Sequence, residues 1–219
     1  MRFCPELTEY AEPDDLGDRE KLEILGIYAH PELYPISGRC QIVTKSGTID
    51  ISPLFPQGLA IPGSAIDKII AFRLADVQRI LFIENMTNYD EYLRREIDPD
   101  ELVLYHGGFL SPKKRQLVQK IAESLRPETE VYLWADIDLG GFRMFAHLQA
   151  LFSRLKPMRM SAEDAARFVA VGLSRDTRYM KRLQAALDQG EFPLFEDAIR
   201  ILLRHGVTIE QEAFLASFK

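Results

Sequence analysis

An apolar run that ends in two aspartates is the feature that most limits the folds open to this chain. Residues 131–141 read VYLWADIDLGG. A short run of β-branched and aromatic residues is typical of a strand buried on both faces. Side chains alternate along an extended chain, so Asp136 and Asp138 are expected to project to the same side. The sequence therefore predicts a buried strand with two carboxylates at its C-terminal end.

A second run of the same kind, residues 79–83, is followed by a single carboxylate, Glu84. In an open α/β sheet, ligands bind beyond the carboxyl ends of the strands. Carboxylate oxygens suit hard divalent cations, and no cationic residue lies beside these acids. We therefore predict a metal site formed by Glu84, Asp136 and Asp138. An acid after a strand can also be an N-cap, and Asp138 fits that interpretation as well.

From about residue 66 the pattern alternates between strands and helices. Strands are predicted over residues 79–85, 101–106, 130–136 and 157–160. Helices are predicted over residues 88–96, from 112 onward, and over 142–155, 162–171, 176–188, 194–205 and 208–218. Strand–helix–strand units at this spacing imply parallel strands with right-handed crossovers. The predicted fold class is α/β, a parallel sheet flanked by helices with a helical C-terminal tail.

Cap residues mark the starts of three predicted helices. Ser111 precedes a proline, the usual order of an N-cap and the first helical position. Ser161 and Asp164 have the spacing of a capping box, and so have Thr208 and Gln211. The last pair gives the neighbouring acids at 210 and 212 an ordinary role in a first helical turn, with a place near the metal site as the alternative.

Residues 1–75 are predicted to be a small β-rich lead-in, and residues 76–219 the catalytic domain with its C-terminal helices. The first twenty residues are acidic and poorly patterned. Five prolines between residues 31 and 62 then disfavour helices. Two alternating runs around Ser46-Gly47 predict a β-hairpin over residues 40–51.

Composition excludes several classes of protein. No apolar run approaches the roughly 20 residues of a membrane span, and the acidic start is unlike a secretory signal. Cys4 and Cys40 form no metal-ligand spacing and are expected to be reduced thiols in a cytoplasmic protein. The net charge is −6, whereas a free-standing nucleic-acid binder is usually basic. Contact with DNA would therefore need local positive charge or a partner.

Two basic clusters could supply that local charge. The first is Lys113, Lys114 and Arg115, in the opening turn of a helix, where cations oppose the helix dipole. This unfavourable placement favours an anionic partner, and we predict these three residues as DNA contacts. The second cluster comprises Arg175, Arg178, Lys181 and Arg182. A charge run is also typical of a solvated helix face, and that interpretation stays open for both.

The order of these motifs resembles a known family. A glutamate after the first strand and Asp-x-Asp with glycines after the third is the pattern of Toprim domains. In finer detail the chain is similar to the C-terminal half of JetD, the nuclease subunit of Wadjet SMC-type plasmid-defence systems, and through it to the DNA-cleaving subunit of topoisomerase VI. The motifs that carry this resemblance are IEN at 83–85, YHGGF at 105–109, DIDLGGF at 136–142 and EQE at 210–212.

The resemblance implies a metal-dependent DNA endonuclease that cuts circular plasmid DNA. Its cofactor would be Mg²⁺ or Mn²⁺, and its partners an SMC ATPase, a kleisin and an accessory subunit; a homodimer is also expected. The roles of metal ligand and catalytic residue pass to Glu84, Asp136 and Asp138. Supporting positions next to the metal site are expected for Asn85, His106, Glu210 and Glu212.

The chain departs from this family at its start. The family carries an N-terminal DNA-binding region, whereas residues 1–75 show no helix-turn-helix pattern and are interpreted as the remnant of a truncated one. The early tyrosines match no motif for an attacking residue, so water is the expected nucleophile.

Two other functions remain alternatives to a nuclease. One is a non-catalytic Toprim-like interaction module. The other is a metal-dependent nucleotide-sugar or phosphoryl transferase that uses Asp-x-Asp. Glu84 discriminates against the transferase, which has no need of a carboxylate from the first strand.

Overall fold

The chain is described here from a computed structural model, which covers residues 32–218, with side chains up to residue 215. Predictions for residues 1–31, including the thiol of Cys4, lie outside the described residues. Residues 33–218 belong to one compact unit, which begins at Leu33.

The strands are short, because glycine, proline and acidic residues interrupt the chain on either side of them. They are β1 (Leu33–Gly38), β2 (Gln41–Thr44), β3 (Gly47–Asp50), β4 (Leu59–Pro62), β5 (Ile69–Arg73), β6 (Arg79–Ile83), β7 (Glu101–Tyr105), β8 (Glu130–Trp134), β9 (Leu155–Pro157), β10 (Leu173–Ser174) and β11 (Val207–Thr208). The α-helices within residues 32–218 are α1 (Met86–Arg95), α2 (Pro112–Glu123), α3 (Leu139–Gln149), α4 (Ala162–Phe168), α5 (Thr177–Asp188) and α6 (Glu196–His205).

Six of these strands form the central sheet, in the order β4-β1-β7-β6-β8-β9. The four neighbouring strands β7, β6, β8 and β9 are parallel to one another. In their register Ile83 lies beside Tyr105 on one side and Trp134 on the other. The residues that follow β6, β7 and β8 therefore emerge level at one edge of the sheet. The predicted fold class, an α/β protein with a mainly parallel sheet flanked by helices, is confirmed.

The N-terminal part of the described chain is β-rich, as predicted. β1 pairs antiparallel with β7, and β4 pairs antiparallel with β1, so both extend the central sheet. The predicted hairpin is confirmed as β2 and β3, which join β5 in a separate three-stranded antiparallel sheet. Residues on both sides of position 75 thus share the central sheet.

The caps decide where several helices begin. Ser111 caps α2 by accepting from the backbone N–H of Lys114 at 3.2 Å, and Ser161 and Asp164 form the predicted capping box of α4. The predicted α-helix over residues 208–218 is wrong: Val207–Thr208 is a strand paired with β10, and Gln211–Phe218 is a 3-10 helix.

The core lies between the sheet and its covering helices. Trp134 and Phe142 are almost fully buried, and the Phe142 ring stacks on Phe195 with ring centroids 4.7 Å apart. The sequence places Phe109, Phe142, Phe145 and Phe152 on apolar faces, which predicts four core residues, and Phe142, Phe145 and Phe152 are buried. For Phe109 the prediction is wrong, because its ring is 55% exposed in the loop after β7 and lies against His147.

Two further expectations concern the thiol of Cys40 and membrane-spanning helices. Cys40 is a buried free thiol, and burial raises its pKa to about 12. None of the helices in the described residues has the length and apolarity that crossing a membrane requires.

A buried carboxylate anchors the opposite end of the parallel strands. Glu101 is 1% exposed and pairs with Arg79, the first residue of β6. The hydroxyl of Tyr92 on α1 donates to the same carboxylate at 2.9 Å, and the backbone N–H of Asp98 donates at 3.0 Å. This network ties α1, β6 and β7 together at the end remote from the carboxyl edge.

Replacement of Arg79 by methionine is expected to lower the free energy of unfolding by about 2 kcal/mol, because Glu101 then stays buried without its cation. Urea unfolding monitored by circular dichroism measures the change. The matched control is Lys156→Met, which removes a cation from the exposed pair with Glu130 and should cost clearly less, because water and salt screen exposed pairs. Equal losses in the two variants would contradict the assigned role of Arg79.

Candidate metal centre

The predicted acids emerge next to one another at the carboxyl edge of the sheet. Glu84 directly follows β6, and Asp136 follows β8 by two residues. The backbone N–H of Asp136 donates to Glu84 Oε2 at 3.2 Å, so the two chain segments are in direct contact. Sequence reasoning therefore placed these carboxylates correctly at adjoining strand ends.

Asp138 begins the next helix and lies at the same site. It is the N-cap of α3, and its Oδ1 accepts from the backbone N–H of Gly141 at 2.7 Å. A side chain at position 141 would place its Cβ 2.1 Å from the carbonyl oxygen of Asp136. Only glycine permits this close approach of α3 to the strand end. The N-cap interpretation of Asp138 is confirmed, and its role as a metal ligand stays a prediction.

A C-terminal strap, defined here as residues 207–212, brings two more acids to this edge. Ile209 forms an isolated antiparallel bridge with Ile137, with N···O distances of 2.8 and 3.2 Å. The strap thereby carries Glu210 and Glu212 past the end of β8. One carboxylate oxygen each from Asp136, Glu210 and Glu212 lie within 4.8 Å of one another. This tighter trio shares only Asp136 with the trio predicted from the strand ends.

Gln211, between these acids, is fully buried and locks the strap in place. Its side-chain Oε1 accepts from the backbone N–H of Asn85 at 2.7 Å, and its Nε2 donates to the carbonyl of Trp134 at 2.9 Å. Its own backbone N–H donates to Asp136 Oδ1 at 2.7 Å. The predicted capping box between Thr208 and Gln211 is therefore wrong, because these tertiary partners occupy the amide side chain.

Asn85 and Arg175 orient the two strap acids. Asn85 caps α1 through its Oδ1 and donates from Nδ2 to Glu212 Oε1 at 2.7 Å. Arg175 pairs with Glu210 at 2.9 Å and also donates from Nε to Thr208 Oγ1 at 2.8 Å. The supporting position predicted for Asn85 thus puts it beside a carboxylate of the cluster.

Tyr179 on α5 is a residue of the site that sequence reasoning missed. Its hydroxyl donates to Asp138 Oδ2 at 3.3 Å and accepts from the backbone N–H of Leu139 at 2.9 Å. The guanidinium of Arg175 lies 5.3 Å from the centre of its ring. No motif in the sequence marks Tyr179, because it reaches the site only through the packing of α5 against the start of α3.

The cluster holds more negative charge than its surroundings neutralise. Burial, together with the charges of Asp138, Glu210 and Glu212, raises the pKa of Glu84 to about 7. Burial, followed by the charge of Glu84, likewise raises the pKa of Asp136 to about 8. Both carboxyl groups are therefore partly protonated near neutral pH. Such a site gains from a bound cation, which replaces those protons.

The cluster faces an open cleft of about 340 Å³, lined by Glu84, Asn85, Met86, Thr87, Tyr105, Gly107, Gly108 and Asp136. Gly107 adopts a φ of +53°, and a Cβ there would clash with the Tyr105 ring at 2.6 Å. The two glycines leave backbone as one wall of the cleft. A larger cleft of about 900 Å³ lies at the other ends of the strands, where arginines and acids face one another.

His106 was expected beside the metal site, but its side chain lies in the core. The imidazole is 2% exposed and makes an edge contact with the Phe82 ring at 6.1 Å between centroids. Burial and the charge of Lys114 lower its pKa to about 3, so it is neutral. It is not among the residues that line the acidic cleft, because side-chain alternation turns it away from Tyr105.

Two residues of the first basic cluster have partners inside the chain. Lys113 pairs with Asp67 at 2.7 Å, and Lys114 donates to the carbonyl of Gly107 at 3.0 Å. Arg115 is exposed. The two lysines in the opening turn of α2 thus bind the lead-in and the glycine loop, which contains Gly107 and Gly108. Contact of this basic cluster with DNA stays a prediction.

Comparison with known proteins identifies a family. The family model described as "Wadjet protein JetD, C-terminal" matches residues 54–217. Over 208 residues the chain is 27% identical to Wadjet protein JetD of Bacillus cereus (strain Q1), an alignment that covers 94% of this chain and 50% of that protein. The chain therefore spans about half the length of this curated relative. The matched region contains every acid of the cluster.

The free energy of unfolding of the metal-free protein is expected to fall as pH rises from about 5 to about 9. Over that range the folded protein keeps protons on Glu84 and Asp136 that the unfolded chain has already released. Urea unfolding in chelator at several pH values measures the slope. Asp136→Asn should flatten it, whereas Glu191→Gln, at an exposed position, should not. A parent profile without this fall would show that the two carboxyl groups ionise normally.

Gln211→Met should destabilise the protein by about 2 kcal/mol, because it leaves the buried backbone N–H of Asn85 without a partner and removes one of the two hydrogen bonds to the Trp134 carbonyl. Chemical denaturation gives the value. The control is Gln184→Met, which removes an exposed amide that donates to Asp188 and should cost about 0.5 kcal/mol or less. Similar values for both variants would mean that the strap is held by other contacts.

Proposed function

The chain belongs to the Wadjet JetD family, and we propose that it is a Toprim-like DNA endonuclease that depends on Mg²⁺ or Mn²⁺. The observation that carries the proposal is the convergence of five carboxylates at the carboxyl edge of the parallel sheet. Among the described residues, Arg175 is the one cation that pairs with them. Such a surplus of charge is costly unless a cation or protons neutralise it.

The donor set fits a hard divalent cation. Every candidate ligand is a carboxylate oxygen, and one oxygen each from Asp136, Glu210 and Glu212 lie within 4.8 Å of one another. Glu84 and Asp138 border the same trio and complete the predicted set. Mg²⁺ and Mn²⁺ are among the ions that carboxylate oxygens bind well. When bound, such an ion would neutralise charge on the scissile phosphate and lower the pKa of a bound water.

The residues of the chain supply the remaining parts of a hydrolytic site. Glu84, which lines the cleft beside Asp136, is placed to accept a proton from an attacking water. Asn85, Arg175 and Tyr179 hold Glu212, Glu210 and Asp138 in fixed orientations. The glycine wall at residues 107 and 108 lets a phosphate approach the acids closely. Water is therefore the proposed nucleophile in a phosphodiester hydrolysis.

The family resemblance supplies the substrate and the partners of this proposal. Circular plasmid DNA is the proposed substrate, delivered by an SMC ATPase with its kleisin and accessory subunit, and the chain is proposed to act as a homodimer in the cytoplasm. The length of the curated relative leaves room for the further DNA-binding region expected of the family.

Binding of Mn²⁺, measured by calorimetry, tests the proposed site directly. The parent should bind saturably, and Asp136→Asn and Glu84→Gln should each weaken binding at least about a hundredfold, more than loss of an outer supporting residue usually does. Glu191→Gln, an exposed acid elsewhere, is the control. Undiminished binding by Asp136→Asn would refute the site, and no binding by the parent would favour the non-catalytic interaction module.

Cleavage is tested on supercoiled plasmid with Mn²⁺ and the SMC, kleisin and accessory subunits present. The parent and Glu191→Gln should convert the plasmid to nicked or linear forms, and Asp136→Asn should not. Activity that survives in Asp136→Asn, or a parent that binds Mn²⁺ but leaves the plasmid intact with all subunits present, would overturn the endonuclease proposal.

A further inference from the structure

Helix α5 presents three cations to solvent along one face. Arg178, Lys181 and Arg182 are all exposed, and their spacing of three and four residues places them on one stripe. We call this stripe the α5 basic face. Within residues 32–215 these three side chains have no ion pair or hydrogen bond with another side chain. They are therefore available to a partner.

Several other cations of the described residues pair with acids of the chain itself. Lys113 pairs with Asp67, Arg159 with Glu96 and Arg200 with Glu196. The whole chain carries a net charge of −6. Three neighbouring unpaired cations are thus a local reversal of its overall charge, and such a reversal marks a surface for an anion.

The α5 basic face adjoins the acidic cluster. Tyr179, the residue after Arg178, hydrogen-bonds to Asp138 through its hydroxyl. Arg175, just before the helix, pairs with Glu210. The helix is therefore fixed to the cluster at its N-terminal end, and the α5 basic face begins at the residue before Tyr179. The carboxylates would repel a polyanion that approaches the cleft. Cations beside the cluster would be needed to hold it there.

The shape and lining of this face indicate the kind of anion. A shallow depression of about 540 Å³ is lined by Thr177, Arg178, Lys181, Arg182 and Ala185. It contains no aromatic side chain on which an unpaired base could stack, as single-strand binders require. It also contains no asparagine or glutamine to read a base edge. Cations on aliphatic stems are suited to the phosphates of a duplex, whatever its sequence.

We propose that the α5 basic face holds the phosphate backbone of duplex DNA beside the acidic cluster and so sets the path of the substrate across the protein. The inference rests on the proposed function for its substrate class. It transfers the DNA-contact role from Lys113 and Lys114, which have partners inside the chain, to Arg178, Lys181 and Arg182. Because the contacts are to phosphates, they should be independent of sequence and strongly dependent on salt.

The test measures duplex binding by fluorescence anisotropy across a series of KCl concentrations, in chelator, so that cleavage plays no part. The triple variant Arg178→Gln, Lys181→Gln, Arg182→Gln should bind at least roughly tenfold more weakly and flatten the plot of log K against log salt by about 2 to 3 units. The matched control is Lys45→Gln, Lys68→Gln, Arg73→Gln, an equal charge change at exposed positions near the three-stranded sheet. It should leave the slope within about one unit of the parent.

The outcomes separate this proposal from the endonuclease proposal. An unchanged slope in the α5 variant, an equal loss in the control, or a parent that does not bind duplex at about 50 mM salt would overturn the α5 surface and favour an acidic protein partner there. Mn²⁺ binding and plasmid cleavage could still hold in that case. A flattened slope with no Mn²⁺ binding would keep the surface and reject the nuclease.

Discussion

Gln211 holds together the acidic edge of the sheet, because its hydrogen bonds join three segments that lie far apart in the sequence. The side chain bridges the ends of β6 and β8, and the backbone N–H holds the Asp136 carboxylate. The acids on either side of Gln211 repel those of the strand ends. A buried amide with both ends satisfied is what allows the strap to stay where electrostatics alone would expel it.

The surroundings of the cluster stabilise its shape more than they neutralise its charge. Glu84 and Asp136 each receive a backbone N–H, and Asp138 receives Gly141 N–H and the Tyr179 hydroxyl. These donors orient the oxygens without removing the excess negative charge. The result is a preorganised set of oxygens with excess negative charge, which supports the proposed metal site, and its location at the carboxyl ends of parallel strands is where α/β proteins bind ligands.

The sequence was enough to predict the sheet and the first half of the site. Residues 131–138 and 79–84 have a local pattern that only a buried strand ending in acids explains, and the structure follows it. The strap was harder, because the spacing of Thr208 and Gln211 satisfies a local capping rule as well as a tertiary contact. The tertiary partners of Gln211 prevailed, since they also satisfy buried backbone groups at Asn85 and Trp134.

The other residues that were predicted wrongly or overlooked depend in the same way on contacts between residues that are distant in the sequence. His106 and Phe109 flank the glycine loop, and a single strand pattern does not tell which one turns into the core. Lys113 and Lys114 look available in sequence because Asp67 and the loop carbonyls lie far from them along the chain. Tyr179 carries no motif, and its place beside Asp138 comes from helix packing alone.

The strap also gives the protein a timing property. Glu210 and Glu212 are synthesised about 75 residues after Asp136, which at typical ribosomal rates is an interval of roughly 4 to 15 seconds. During that interval the sheet can form while the carboxylate set is still incomplete. The proposed metal site would therefore be completed only after Glu210 and Glu212 have been synthesised, later than the strands that carry its other acids.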